Sequence, residues 1–186
     1  MRLFSRIQHY FHKRFLAKQP LPPKRALLNR AAIKTVGILF DATNLEQAQQ
    51  ILRYRNQLEK EGKRVKLLAY INSRAKDIEA NYPFFLRSDV NWKYIPNGQA
   101  VDDFMSVSFD LLLVVSSIST PSFEYISTLT DARLKVGPDS ENRQAYDLML
   151  DISAHHTPEQ IIQLMENYLK VVLPKQQMTK KQLATA

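Results

Sequence analysis

The chain has 186 residues, no cysteine, and 26 Lys and Arg against 18 Asp and Glu, which gives a formal net charge of +8. Its length and its 45 % hydrophobic content suit one domain with its own core and exclude wholesale disorder. Because the chain has no cysteine, a disulfide framework and a thiolate zinc site are also excluded. The longest apolar run, residues 111–115, is far shorter than the roughly 20 residues of a membrane-spanning helix, and no secretory signal is evident, so we expect a cytoplasmic location.

The positive charge is concentrated at the two ends of the chain. Nine basic residues and no acidic one precede Asp41, and three lysines follow position 174. Residues 41–174 hold 14 basic against 18 acidic side chains, a net charge of −4. Any attraction to a polyanion is therefore expected at the ends.

Residues 2–18 predict a basic amphipathic helix, which Pro20 ends. Its apolar stripe, widened by Leu16, and the basic residues beside it are the predicted docking residues: Leu3, Phe4, Ile7, Phe11 and Phe15, with Arg2, Arg6 and Lys13. We define residues 1–34 as the arm. Such a helix suits an anionic membrane surface. The alternative is that it packs on its own domain, on a protein partner or on a second copy of the chain.

Two further interpretations of the arm stay open. Nucleic acid is the least favoured partner, because the body is acidic and no helix-turn-helix, zinc or RNP pattern is present. A mitochondrial presequence would share the acid-free, Arg-containing start.

Apolar runs separated by amphipathic segments predict an alternation of strands and helices. The predicted strands are 35–40, 65–71, 92–95, 110–115, 133–136 and 146–152. Helices are predicted after a capping box at Thr43 and Glu46, with Gly62 as its stop, over 101–106, over 121–131 after Thr120, and from Thr157 onward. The expected buried faces are Leu45, Ala48, Leu52 and Leu58 in the first helix, and Ile161, Met165, Tyr168 and Val172 in the last.

This alternation predicts an α/β fold of three layers. We expect a mainly parallel sheet of five to six strands with helices on both faces, a Rossmann-like arrangement over residues 35–174. Residues 175–186 are polar and basic, and we expect a disordered tail there.

Polar residues follow the ends of the predicted strands, where ligands bind in open α/β sheets. We call Asp41, Asn44, Asn72, Arg74, Ser116, Ser117 and Asp139 the rim residues. They suit a ligand that contains a phosphate or a sugar. The alternative is that Thr43, Asn44, Ser119 and Thr120 cap helices and that the others are solvated loop residues.

Known motifs for cofactors, metals and hydrolases are missing from the sequence. Its four glycines cannot form G-x-G-x-x-G or a P-loop, no G-x-S-x-G elbow occurs, and we predict no cofactor. The adjacent pair His155 and His156 favours a loop over a metal site, and Asp102 with Asp103 favours an exposed helix start over a cation site.

Two stretches, 109–117 (FDLLLVVSS) and 125–137 (YISTLTDARLKVG), resemble an uncharacterised bacterial family of small α/β proteins of unknown function. That family pairs an FDLL strand with an A-[RK]-x-[KR]-V-G strand. The alternation of strands and helices is also similar to the N-terminal half of heptosyltransferase-type glycosyltransferases. The Gly-Asp turn that these enzymes have after their first strand is replaced here by Asp41-Ala-Thr-Asn44. Both resemblances imply the fold, and neither assigns a catalytic residue.

The sequence leaves two functional hypotheses. The first is a non-enzymatic binding or scaffold protein that docks through its arm to a membrane surface or a protein partner. The second is a small enzyme or ligand sensor that binds a polar molecule at the rim, with Asp41 as its polar centre and Ser116 and Ser117 as hydrogen-bonding neighbours.

Overall fold

Six parallel strands form the central sheet of the protein, whose computed structural model describes residues 14, 16, 29–75, 77–152 and 155–173. The strands are β1 (Thr35–Asp41), β2 (Arg64–Ile71), β3 (Phe84–Leu86), β4 (Phe109–Val115), β5 (Ala132–Pro138) and β6 (Leu148–Leu150). They lie in the order β3-β2-β1-β4-β5-β6, and every pair is parallel. The expected parallel α/β fold is confirmed.

Within residues 29–75, 77–152 and 155–173, four α-helices cover both faces of the sheet. Their bounds are α1 (Leu45–Lys60), α2 (Gln99–Met105), α3 (Pro121–Leu129) and α4 (Pro158–Val172). Helices α1 and α4 pack on one face through residues such as Ile51 and Met165. Helices α2 and α3 pack on the other through residues such as Phe104 and Ile126. Each such buried side chain contributes roughly 2 kcal/mol relative to exposure, which holds the three layers together.

The central strands β1 and β4 are apolar because both of their faces are covered. Along β1, Ile38 and Phe40 contribute to the core under α1 and α4, whereas Leu39 contributes to the core under α2 and α3. All three side chains are fully buried. The alternation places Asp41, the last residue of β1, on the same face as Leu39.

The expected faces of α1 and α4 are correct for most positions but wrong for three. Leu45, Tyr168 and Val172 are exposed. In α4 the buried face runs instead through Ile162 and Leu169, beside Ile161 and Met165. The predicted positions in α4 have helical spacing, but the face that contacts the core is rotated toward Ile162 and Leu169, which leaves Tyr168 and Val172 outside it.

The helix starts agree with the sequence at α3 and α4 but differ at α1. Thr120 and Thr157 cap α3 and α4, and Thr157 forms a capping box with Gln160. The predicted box at Thr43 and Glu46 is wrong, because Asn44 caps α1 by accepting a hydrogen bond from the Gln47 N–H. Gly62, with φ of 82°, follows the end of α1 as predicted.

The predicted strand over 92–95 is wrong. Asn91 Oδ1 accepts hydrogen bonds from the backbone N–H groups of Lys93 and Ile95, at 2.8 and 3.1 Å, which folds the segment into a turn. Tyr94 has φ of 62°, which an extended strand cannot contain. The third strand is instead β3, whose three residues pair with β2.

An ion pair attaches the segment before β1 to the body. Arg30 Nη2 lies 2.5 Å from Glu166 Oε2 on α4, and the Tyr54 hydroxyl of α1 donates to Glu166 Oε1 at 2.6 Å. Burial, followed by the nearby Glu166 charge, raises the pKa of Tyr54, so this hydroxyl stays protonated and keeps donating. Glu166 thus connects three segments of the chain.

Asp110 connects β1 and β4 at the opposite, amino-terminal edge of the sheet. Its Oδ2 accepts from the backbone N–H groups of Lys34 and Thr35 and from the Thr35 hydroxyl, at 2.9 to 3.0 Å. Burial opposes ionisation of Asp110, but these donors and Arg133 outweigh it and lower the pKa of the carboxyl below its ordinary value.

We predict that Asp110→Asn lowers the free energy of unfolding by about 2 kcal/mol at pH 7, because hydrogen bonds to a charged acceptor are replaced by neutral ones. A lowered folded-state pKa stabilises the protein above the unfolded value of about 4 and loses that contribution as the pH falls further. Urea denaturation should therefore separate wild type and variant at pH 7 and less so at pH 3. Asp77→Asn, at an exposed carboxylate, is the control, and equal midpoints for both variants at pH 7 would contradict the prediction.

Candidate functional site

The order of the strands reverses at β1, which lies between β2 and β4. The chain builds the sheet outward from β1 through β2 to β3, then crosses back to place β4 on the other side of β1. At such a switch point the connections that leave neighbouring strands go to opposite faces of the sheet. A crevice is therefore expected beyond the carboxyl ends of β1 and β4.

The rim residues lie along this carboxyl edge. Asp41 is in register with Tyr70 of β2. Phe40 is in register with Val115, so Ser116 follows on the other side of Asp41. The remaining rim residues are in the segments that follow the strand ends: Asn44 after β1, Asn72 and Arg74 after β2, Ser117 after β4 and Asp139 after β5.

Several rim residues have local structural roles. Asp41 Oδ1 accepts a hydrogen bond from the Thr43 N–H at 2.8 Å, and Asn44 caps α1. The Ser116 hydroxyl donates to the Ile118 carbonyl at 2.8 Å. For these three residues the structure shows the capping and loop contacts that the alternative interpretation predicts.

A cavity of about 390 Å³ opens at the carboxyl edge, on the face of the sheet that α2 and α3 cover. We call it the switch-point cavity, because residues from β2 and from the start of α3 line it on either side of β1. Its lining residues are Tyr70, Arg74, Arg87, Val90, Asn91, Trp92, Tyr94, Thr120, Pro121 and Ser122. Arg74 is the rim residue among them, and the other nine were not assigned to a site from the sequence.

Two arginines bring positive charge to the switch-point cavity. Arg87, which follows β3, donates from Nη1 to Asn72 Oδ1 at 3.4 Å, and Arg74 follows β2. Both are exposed. Neither forms an ion pair with a carboxylate of the described ranges. The charges of both guanidinium groups are therefore available to an anion.

Tyr70 lies between these charges and the core. Its ring is 5.3 Å from that of Phe85 and 6.1 Å from that of Phe123, measured between centroids. Burial raises the pKa of the Tyr70 hydroxyl, the Arg87 charge opposes that rise, and Asp41 adds to it. The hydroxyl is therefore protonated at neutral pH, and it donates to Asn72 Oδ1 at 3.4 Å.

The first turn of α3 supplies backbone donors on the other side of the cavity. Pro121, the first residue of this helix, has no N–H, and the Thr120 hydroxyl accepts from the Phe123 N–H at 3.3 Å. Among the described groups, none accepts the intervening Ser122 N–H. The positive end of a helix dipole and a free donor thus lie at the same cavity as the two arginines.

Residues 90–97, which we call the site loop, form the aromatic side of the cavity. Besides the two bonds to Asn91 Oδ1, the Asn91 N–H donates to the Ile95 carbonyl at 3.0 Å. The Ser122 hydroxyl donates to the Tyr94 carbonyl at 3.1 Å, which ties the loop to α3. Tyr94 keeps a left-handed backbone that is rare for a bulky residue, and such conformations cluster at functional sites.

Large apolar side chains are exposed around this edge. Leu45, Trp92 and Ile118 are 66 %, 51 % and 60 % exposed. All three lie in segments that follow the carboxyl ends of strands. Trp92 is also the single tryptophan of the chain. Apolar surface beside a polar cavity is typical of binding sites.

A second polar cluster, centred on Glu124 of α3 and outside the cavity lining, is already paired. Glu124 Oε1 accepts from the hydroxyls of Ser140 and Ser119, at 2.6 and 3.1 Å, and Ser119 also bonds the Tyr146 hydroxyl at 3.0 Å. Burial raises the pKa of Tyr146. Because these groups satisfy one another, they connect α3 to the segments after β4 and β5.

The described ranges contain no group of three His, Asp or Glu side chains that could hold a metal ion. His155 lies in a turn, as its loop interpretation predicts, and Asp102 and Asp103 are exposed in α2. The acidic pair follows the helix start at Gln99 by three residues.

The predicted docking residues of the arm lie outside the described residues: Leu3, Phe4, Ile7, Phe11, Phe15, Arg2, Arg6 and Lys13. Two neighbouring positions are described, and both are helical. Leu16 is 2 % exposed and Arg14 is exposed. Burial of Leu16 is what packing of the apolar stripe predicts at this position. Within the described ranges, no helix combines the length and apolarity needed to cross a bilayer.

The comparison with protein families matches residues 7–172 to a family of unknown function, DUF6913. This match covers both the arm's predicted helix from residue 7 and the whole sheet. A search of the curated proteins finds no match. The expected membership of an uncharacterised family is therefore confirmed, whereas the resemblance to heptosyltransferases has no support.

We predict that Asn91→Ala speeds hydrogen exchange of the Lys93 and Ile95 amides by about tenfold, because each loses its side-chain acceptor. Hydrogen exchange followed by NMR measures both amides directly. Asn56→Ala on α1 is the control, since this exposed side chain accepts only from the neighbouring Arg55. Unchanged exchange at both amides would show that Asn91 does not hold the site loop.

Proposed function

We propose that this chain, which belongs to the DUF6913 family of unknown function, binds a phosphorylated small molecule in the switch-point cavity. The observation that carries the proposal is that Arg74, Arg87 and the first turn of α3 line one cavity. These three elements come from separate parts of the chain, and the reversal of strand order brings them together.

The charge of the cavity favours an anion. Its lining contains two arginines and no carboxylate, although residues 41–174 as a whole carry a net charge of −4. A local positive site in an acidic body attracts an anion to that place rather than to the general surface. The exposed guanidinium groups each offer a planar set of donors to it.

A phosphate fits these donors better than a carboxylate. Arginine binds phosphate with two parallel hydrogen bonds, and a helix start binds phosphate through backbone N–H groups. The Ser122 N–H adds a backbone donor beside the arginines. A phosphate has enough acceptor oxygens to use several of these donors at once, whereas a carboxylate has two.

The cavity favours binding rather than catalysis. Its lining residues include neither a carboxylate nor a histidine, which are the usual general acids and bases. Asp41 lies beside Tyr70 but has one carboxylate oxygen engaged with the Thr43 N–H. We therefore propose a ligand-binding module, in which a bound phosphate links β2, β3 and α3.

Docking of the arm to an anionic membrane surface or a protein partner remains a separate prediction. The proposed cavity does not depend on it, because every lining residue lies between positions 70 and 122. Burial of Leu16 favours a packed helix over an open one at that position.

We predict that Arg87→Ala and Arg74→Ala each weaken binding of inorganic phosphate by about tenfold or more, because each removes a charged hydrogen-bonding partner. Isothermal titration calorimetry at constant ionic strength measures the change. Arg53→Ala on α1 removes the same charge from an exposed position, and Arg6→Ala removes it from the arm.

Both controls should bind phosphate within twofold of wild type. Equal weakening by all four substitutions would mean that only net charge matters, which overturns the proposal. Absence of phosphate binding by the wild-type chain would overturn it as well.

A further inference from the structure

We infer that the phosphate is part of a nucleoside phosphate, whose base lies against the aromatic side of the switch-point cavity. This inference rests on the proposed function and names the class of ligand for the same cavity. It concerns the aromatic side chains of the cavity lining.

The cavity is larger than a phosphate needs. Its volume of about 390 Å³ falls within the range of roughly 300 to 1,000 Å³ in which proteins enclose complete small molecules. The arginines follow β2 and β3, whereas Trp92 and Tyr94 lie on the site loop. The lining thus combines cationic and aromatic side chains, which suits a ligand with an anionic group and a planar apolar ring.

The aromatic side chains of the lining suit a planar ring. Trp92, Tyr94 and Tyr70 line the cavity together with Val90 and Pro121. Trp92 is 51 % exposed, although it is the largest apolar side chain of the protein and lies on a loop that hydrogen bonds hold in place. The Lys93 ammonium lies over its ring, 5.1 Å from the centroid, and a base would stack on the opposite face.

A base fits these side chains better than a sugar ring does. A sugar needs a partner for each of several hydroxyls, and the polar lining atoms here are largely engaged. Asn91 Oδ1 accepts two loop N–H groups, Thr120 Oγ1 caps α3, and the Ser122 hydroxyl donates to the Tyr94 carbonyl. Stacking of a base needs none of these atoms, since every base presents an aromatic face.

Recognition would differ from that of glycine-rich nucleotide sites. The four glycines form no phosphate-binding loop, and none of them lines the cavity. Side chains from the ends of β2 and β3 and the first turn of α3 take that role instead. This explains how a nucleotide ligand is compatible with a sequence that has no nucleotide motif.

The full-length chain should bind AMP and UMP at least tenfold more tightly than ribose 5-phosphate, because stacking adds to the phosphate contacts. Since Trp92 is the single tryptophan, the nucleotides should quench its fluorescence and ribose 5-phosphate should change it little. Calorimetry should show that Trp92→Ala removes the preference for AMP and that Trp92→Phe retains most of it.

The outcomes separate this inference from the proposed function. Equal affinity for AMP and ribose 5-phosphate, both weakened by Arg87→Ala and unaffected by Trp92→Ala, would overturn the base and retain the phosphate site. Adenosine binding as tightly as AMP, with no effect of Arg87→Ala, would overturn the phosphate site. Failure of AMP, UMP, ribose 5-phosphate and inorganic phosphate to bind would overturn both.

Discussion

The handedness of parallel crossovers is the constraint on which the rest of this structure depends. Connections between parallel strands are right-handed, so a chain that adds strands on one side of β1 and then on the other must place its helices on opposite faces. Here α1 follows β1 onto one face, and α2 and α3 lie on the other. The carboxyl ends of β1 and β4 are left between diverging connections. The cavity opens next to them, between the segments that follow β2 and β3 and the first turn of α3.

The charge of the cavity lining differs in sign from the net charge of the body around it. The excess of basic residues lies at the two ends of the sequence, whereas residues 41–174 are net acidic. Within that acidic part, Arg74 and Arg87 line one cavity without an ion-paired carboxylate among the described residues. Overall net charge therefore says little about this site, because the field at a cavity depends on the few groups that line it.

The sequence predicts the parts of the fold that packing determines, and it fails where local hydrogen bonds determine the structure. Strands β1, β2 and β4 were predictable because burial on both faces requires continuous apolar runs. The 92–95 segment contains residues typical of strands, but the Asn91 side chain turns it into a loop. Similarly, the Thr43 N–H donates to Asp41 Oδ1, and the Thr43 hydroxyl oxygen accepts from the Asn72 N–H. Asn44 therefore caps α1 in place of Thr43. Six of the seven rim residues follow strand ends as expected, and Asp41 is itself the last residue of β1. Arg87 was missed because β3 has three residues, too few for a recognisable pattern, and a cation directly after that strand was the signal.

Chemical-shift mapping of the ¹⁵N-labelled full-length chain, titrated with inorganic phosphate, tests the central claim most directly. If phosphate binds in the cavity, the largest amide shifts fall in residues 70–74, 87–94 and 120–123, three segments that are far apart in sequence and together contain the lining residues. Shifts concentrated among the basic residues before Asp41, with the cavity amides unchanged, would contradict it.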